Sequence, residues 1–223
     1  MKMPLGILAV VAIILMSFYL FAPRPGPEAL QPRTDLPWQI TLNPDGTSRV
    51  FDLNLGRATL ADAIAKFGPV DGIAIFEPAS GPLALEAFFD NARLGPLKAK
   101  VIVGLDADPQ TLAALRDGSR GREGSPSGDW KYPLGTVPAD HAGRTITVLT
   151  YIPGTRGLDQ AFFLERFGKP AAWLRESEHA VSWFYPQLGL AILIDDEARE
   201  ALEYVAPRDF VMPADVTPYT EAP

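Results

Sequence analysis

Two histidines, His141 and His179, and 27 Asp and Glu side chains are what this chain offers for acid–base or ligand chemistry, and it has no cysteine. A Ser-His-Asp set assembles in space, so spacing alone does not exclude it, but no Gly-x-Ser-x-Gly elbow accompanies either histidine. A zinc site from the two histidines and an acid lacks any short ligand spacing of the His-x-x-x-His kind. Asp195-Asp196-Glu197 with Glu200, and Asp106 with Asp108, lack the central glycine and regular oxygen offsets of a calcium loop, and read as helix caps. No carboxylate pair for glycoside cleavage stands out among so many acids. Without cysteine there is no disulfide, thiolate ligand, catalytic thiol or acylated N-terminal cysteine. The expectation is a chain with no catalytic residues, no metal and no cofactor.

The remaining candidates are aromatic. Val181, Trp183 and Tyr185 share one face of a predicted strand, and Trp173 lies on the strand before it. Large aromatics with a polar handle anchor interfaces when exposed and fill cores when not. Both readings stay open from sequence, and Trp173, Trp183 and Tyr185 are the candidate binding residues.

The elements that position them recur. From Asp159 the order is a helix ending in Phe167-Gly168-Lys169-Pro170, a strand Ala171 to Leu174, an aromatic strand Val181 to Tyr185, a Leu188-Gly189 turn, a strand Leu190 to Ile194 and an acid-capped helix from Asp195. From Thr59 the same order runs through Phe67-Gly68-Pro69, Gly72 to Phe76, Leu83 to Phe89, Leu94-Gly95, Ala99 to Val103 and a helix opened by Asp108-Pro109. This is a tandem repeat. Leu60, Ala63, Ile64 and Phe67 form a helical stripe behind a Thr59 to Asp62 capping box. Leu83, Leu85, Ala87 and Phe89 share one strand face while Glu86 and Asp90 share the other, the pattern of a sheet with one wet side. Ahead of the first copy, Trp38 to Leu42 and Arg49 to Leu53 flank Asn43-Pro44-Asp45-Gly46-Thr47 as a β-hairpin.

The fold class expected is α+β: two tandem repeats of short helices packed on antiparallel sheet, preceded by one N-terminal transmembrane helix. Domain organisation reads as a transmembrane anchor over 1–22, a Pro-rich stalk over 23–37 and a first α+β repeat over 38–117. A flexible Gly/Ser linker over 118–129, a second repeat over 130–210 and a tail over 211–223 complete it. The strand Leu190 to Ile194 is apolar on both faces, which requires cover on both sides and makes the first repeat the expected cover.

Leu5 to Ala22 is apolar behind Lys2, and as a helix it spans about 27 Å, close to a bilayer's hydrocarbon thickness. Tyr19-Leu20-Phe21-Ala22 before Pro23 is a poor cleavage site, so an uncleaved anchor is expected. That places the chain in the inner (cytoplasmic) membrane, single-pass, with its C-terminal domain in the periplasm or outside the cell. The composition, 47% hydrophobic and 21% charged, is that of a globular protein. The net charge of −7 is concentrated after residue 175, and no basic footprint for nucleic acid exists.

Helices ending in Phe-Gly-Lys-Pro or Phe-Gly-Pro, followed by antiparallel strands with Trp-Phe-Tyr before a glycine turn, resemble the small lipoprotein subunit of the outer-membrane β-barrel assembly machinery. They are also similar to the tandem-repeat β-lactamase-inhibitor-protein fold. The residues that carry the resemblance are Phe167, Gly168, Pro170, Trp183, Phe184, Tyr185 and Gly189, echoed by Phe67, Gly68, Pro69, Phe88, Phe89 and Gly95. It implies a non-enzymatic envelope protein that binds other proteins; the lipoprotein's acylated cysteine is replaced here by the apolar N-terminal segment. The leading expectation is therefore a membrane-anchored protein-binding or scaffolding module with an envelope protein as partner. The rivals are a cell-wall-acting or other hydrolase with a site between the repeats, and a small-ligand binding module.

Overall fold

The computed structural model describes residues 35–94, 97–124, 128–135 and 141–220, all within one unit spanning Thr34–Pro223. Three short strands open it: β1 (Thr41–Leu42), β2 (Ser48–Val50) and β3 (Leu53–Asn54), paired antiparallel in that order. The expected hairpin is thus present around Asn43 to Thr47, whose turn is held by Asp45 accepting from the Thr47 backbone N–H and hydroxyl. A second turn follows at once, with Phe51 and Asp52 both at positive φ. This backbone is costly for a bulky residue, and it drives the fully buried Phe51 ring between Tyr151 and Tyr204.

Helix α1 (Leu60–Phe67) starts where the sequence places it. Thr59 Oγ1 accepts from the Asp62 N–H, and Asp62 Oδ2 accepts from the Thr59 N–H, a reciprocal box. Those bonds hold the Asp62 carboxyl below its usual range. Thr59→Ala is expected to cost about 1 kcal/mol in urea denaturation. Helix α3 (Gln160–Phe167) is capped by the Asp159 carboxylate, which accepts from the Phe162 N–H, and α2 (Pro109–Asp117) by Asp108, which accepts from the Gln110 and Thr111 N–H groups. Gly68 and Gly168 end α1 and α3 at positive φ with ψ near −165°, outside the left-handed helical region. Only glycine enters that region freely.

The other strands are β4 (Gly72–Glu77), β5 (Ala84–Leu94), β6 (Leu97–Leu105), β7 (Glu123–Gly124), β8 (Trp130–Gly135), β9 (Ile146–Pro153), β10 (Ala172–Arg175), β11 (Ala180–Tyr185), β12 (Leu190–Asp195), β13 (Ala201–Val205) and β14 (Thr217–Pro218). They form one 11-stranded antiparallel sheet in the order β14-β10-β11-β12-β13-β9-β6-β5-β4-β8-β7. This corrects the expected fold class. The fold is mostly β, with 42% of the described residues in strands and a single large sheet in place of two α+β units. A helix followed by four antiparallel strands does occur twice, as α1 with β4, β5, β6 and β9, and as α3 with β10 to β13. The fourth strands pair with each other, Leu202 opposite Tyr151 and Tyr204 opposite Leu149. The two halves therefore continue one sheet edge to edge, and neither covers the other.

The helix expected from Asp195 is also overturned. Ala198, Ala201, Leu202 and Val205 do fall at helical spacing, but Leu202 and Tyr204 alternate with Glu203, and β9 and β12 pair with both edges of the segment. Sheet pairing decides where two periodicities coexist. Among the described residues no helix is long and apolar enough to cross a membrane, so the structure does not support the transmembrane, single-pass description; the anchor expected over 1–22 lies outside the described residues. Residues 35–37, the end of the expected stalk, are packed onto the fold. Asp35 bonds Lys66 Nζ at 2.8 Å, and the Pro37 carbonyl accepts from the buried Tyr204 hydroxyl at 2.8 Å.

Candidate functional site

Strand alternation gives the large sheet two unlike faces. One carries Ile73, Ile75, Leu85, Ala87, Phe89, Val101, Val103, Leu149, Tyr151, Leu202, Tyr204, Leu190, Ile192 and Trp183, buried against the residues of α1, α3 and β1 to β3 in a single core. The candidate binding residues belong to this covered face. Trp183 is 0% exposed, stands opposite Trp173 on β10, and meets the Tyr219 ring edge-on at 5.9 Å. Tyr185 is also buried; its hydroxyl donates to the Gly168 carbonyl at 3.0 Å, and burial pushes its pKa up. Trp173 is half-buried against the core. These rings hold α3 and the C-terminal segment to the sheet.

The opposite face is built from the alternate positions. One row across it reads Ala172, Phe184, Ala191, Glu203, Thr150, Ile102, Phe88, Gly72, each opposite the next on the neighbouring strand. A second reads Val205, Val148, Gly104, Glu86, Ala74, Pro133. Of these residues Ala74, Ala172 and Phe184 are buried, while Phe88, Ile102, Thr150, Ala191, Val148 and Glu86 are half-buried. The face does the reverse of what was expected for β12: Ala191 and Leu193 lie at intermediate exposure and are not covered by the first half.

Glu86 and Glu203 lie near the middle of this face, three strands apart, about 14 Å at the backbone. Neither has a hydrogen bond or ion pair among the described residues. Desolvation raises the Glu86 carboxyl above its usual range, the charge of Glu203 adds to the rise, and Lys131 opposes it. Desolvation raises Glu203 as well. The Glu203 side chain is open to water, which screens part of this, so Glu86 carries the larger share. Cations stand nearby but are engaged elsewhere. Lys131 Nζ lies 4.7 Å above the Phe88 ring and 3.8 Å from Glu123, while Lys100 is bonded to Asp90 at 3.0 Å. The face thus presents two uncompensated carboxylates amid aromatic and aliphatic surface.

The histidines do not build a hydrolytic centre. His141 is buried in the turn before β9, and its Nδ1 accepts from Arg144 Nε at 3.1 Å, the atom that a triad carboxylate would have to bond as N–H. His179 lies in the β10–β11 loop, half exposed, 3.8 Å from Glu197. No group of three His, Cys, Asp or Glu among the described residues is placed to hold a metal ion. Sequence reading put Glu86 on the wet side of its strand and missed Glu203, which it had assigned to a helix. The signal for Glu203 was the alternation Leu202, Glu203, Tyr204. Comparison with protein-family models, curated proteins and solved structures finds no significant match for this chain.

Proposed function

We propose that this chain is a non-enzymatic protein-binding module whose docking surface is the uncovered face of the large sheet, and whose partner presents a basic side chain flanked by apolar ones. One observation carries the reading: Glu86, half-buried, and Glu203, exposed on the same face, have no hydrogen-bond or ion-pair partner among the described residues. Partly buried carboxylates normally acquire a cation or a donor within their own chain. Here the missing charge is what a partner's arginine or lysine would supply, with the half-buried Phe88 and Ile102 as the surrounding apolar contact.

The test is affinity capture from an extract of the source cells, with the wild-type chain beside the Glu86→Gln/Glu203→Gln variant. Proteins retained by the wild type are expected to lose at least about tenfold in affinity for the variant, because each loses a desolvated charge pair. An identical set of captured proteins at equal strength overturns the proposal.

Hydrolysis is the second reading, since carboxyls with raised pKa values mark many active sites. An acid and a base at one site need environments that push their values apart. Desolvation lifts both Glu86 and Glu203 in the same direction, which favours binding over catalysis.

A further inference from the structure

A second feature, made of other residues, lies where the loop after β9 and the first turn of α3 face the loop between β12 and β13. A cavity of about 440 Å³ is lined there by Leu158, Asp159, Ala161, Ile194, Asp195, Asp196, Ala198 and Glu200, with Arg156, Gly157 and Gln160 completing the wall. Glu200 is 3% exposed. Its Oε1 accepts from the backbone N–H groups of Gly157 at 3.0 Å and Leu158 at 2.9 Å. Its Oε2 is buried and has no partner. A carboxylate oxygen in that position is under-satisfied unless something enters the cavity to meet it.

We infer that this cavity binds a primary alkylammonium group, with the Glu200 carboxylate as its counter-charge; this goes beyond the reading of the sheet face. Four acids line the space against one basic residue, Arg156, which is exposed. Besides Glu200, two of those acids have already spent an oxygen on backbone. Asp159 Oδ1 accepts from the Phe162 N–H, which answers the positive end of α3. Asp195 Oδ1 accepts from the N–H groups of Glu197 and Ala198. The loop donors are therefore satisfied, and the surplus on the cavity wall is acceptors and negative charge.

The kind of cation follows from the same geometry. No three ligating groups among the described residues are placed to hold a metal ion. A guanidinium prefers both oxygens of a carboxylate as a fork, whereas here Oε1 is committed and a single oxygen remains. An ammonium is a compact donor that suits one oxygen, and Asp196 adds a second negative charge to the wall of the same cavity. Leu158, Ala161, Ile194 and Ala198 supply apolar wall for a methylene stem. The volume lies within the range of small-ligand sites, roughly 300–1,000 Å³. Such a group arrives either as a free diamine or as a lysine side chain.

The test uses the full chain labelled with 15N, following the Gly157 and Leu158 amides while 1,5-diaminopentane, Nα-acetyl-lysine amide, 1,5-pentanediol or magnesium chloride is added. Saturable shifts with either amine and none with the diol are expected, with affinity falling at least about tenfold in Glu200→Gln. Asp196→Asn, at an exposed rim position, is expected to weaken binding severalfold without unfolding the chain, and it decides the matter should Glu200→Gln fail to fold. Binding of the diamine alone identifies a free amine as the source; binding of the lysine derivative alone identifies a partner's side chain. No saturable shift with either amine, equal shifts with the diol, shifts with magnesium alone, or unchanged affinity in Asp196→Asn overturns the inference. Failure here leaves capture by the sheet face unaffected, because Glu86 and Glu203 take no part in the measurement.

Discussion

Gly189→Ala is expected to lower the free energy of unfolding by roughly 2–5 kcal/mol, the sum of a left-handed backbone penalty and a collision that cannot relax. Gly189 sits at φ 64° and ψ 37° in the turn between β11 and β12. A Cβ there would strike the Val205 carbonyl oxygen and come within 3.0 Å of the Pro207 nitrogen, both backbone atoms. The turn cannot back away, because the Gly189 carbonyl accepts from the Val205 N–H at 2.8 Å. Gly168→Ala is the matched control. Its φ of 73° is also positive, but nothing lies within 4 Å of an added Cβ, so the cost there is that of the backbone alone, roughly 1–3 kcal/mol. Urea denaturation of the two variants checks the difference. Equal losses would show that the close approach of β12's turn to the end of β13 is not tight in solution.

Replacing Glu86 and Glu203 together by glutamine is expected to have opposite effects on stability and on binding. Both carboxyls have folded-state pKa values above their unfolded ones, so the folded chain holds more protons across that interval. Stability is then greatest below the unfolded values, declines as pH rises towards the folded values, and carries the full penalty above them. The double variant removes the penalty. At neutral pH it should be more stable than the wild type by on the order of 0.5 kcal/mol, kept small because Glu203 is screened by water. Below about pH 4, where carboxyls are protonated in both states, the gain should vanish. Denaturation midpoints of both chains from pH 4 to 7.5 measure this directly. The same variant should lose the partner that the wild type captures.

Much of the local structure was legible in the sequence, because local physical chemistry dictates it. Thr59 and Asp62, Asp108 with Pro109, and Asp159 specify their helix starts without help from the rest of the chain. The alternation of Leu85, Ala87 and Phe89 with Glu86 fixes which side of β5 is buried. What failed had its cause at long range. Residues 198–205 satisfy a helical and a strand pattern together, and only β9 and β12, distant or out of register in sequence, select the strand. The aromatic content of β11 was visible, but which side Trp183 and Tyr185 faced depended on where α3 and Tyr219 came to rest. The apolar strand β12 implied cover on both faces, whereas the structure extends the sheet sideways. That one topological difference exposes the face that carries Glu86 and Glu203.

The central claim is that these two carboxylates await a cation from outside the chain. Carbon-detected NMR titration of the Glu86 and Glu203 side-chain carboxyls, in the free protein and in complex with the captured partner, tests it most directly. Both should titrate above the ordinary glutamate range when free, and both should drop towards or below that range in the complex. Ordinary values in the free protein, or elevated values that the partner leaves unchanged, would contradict it.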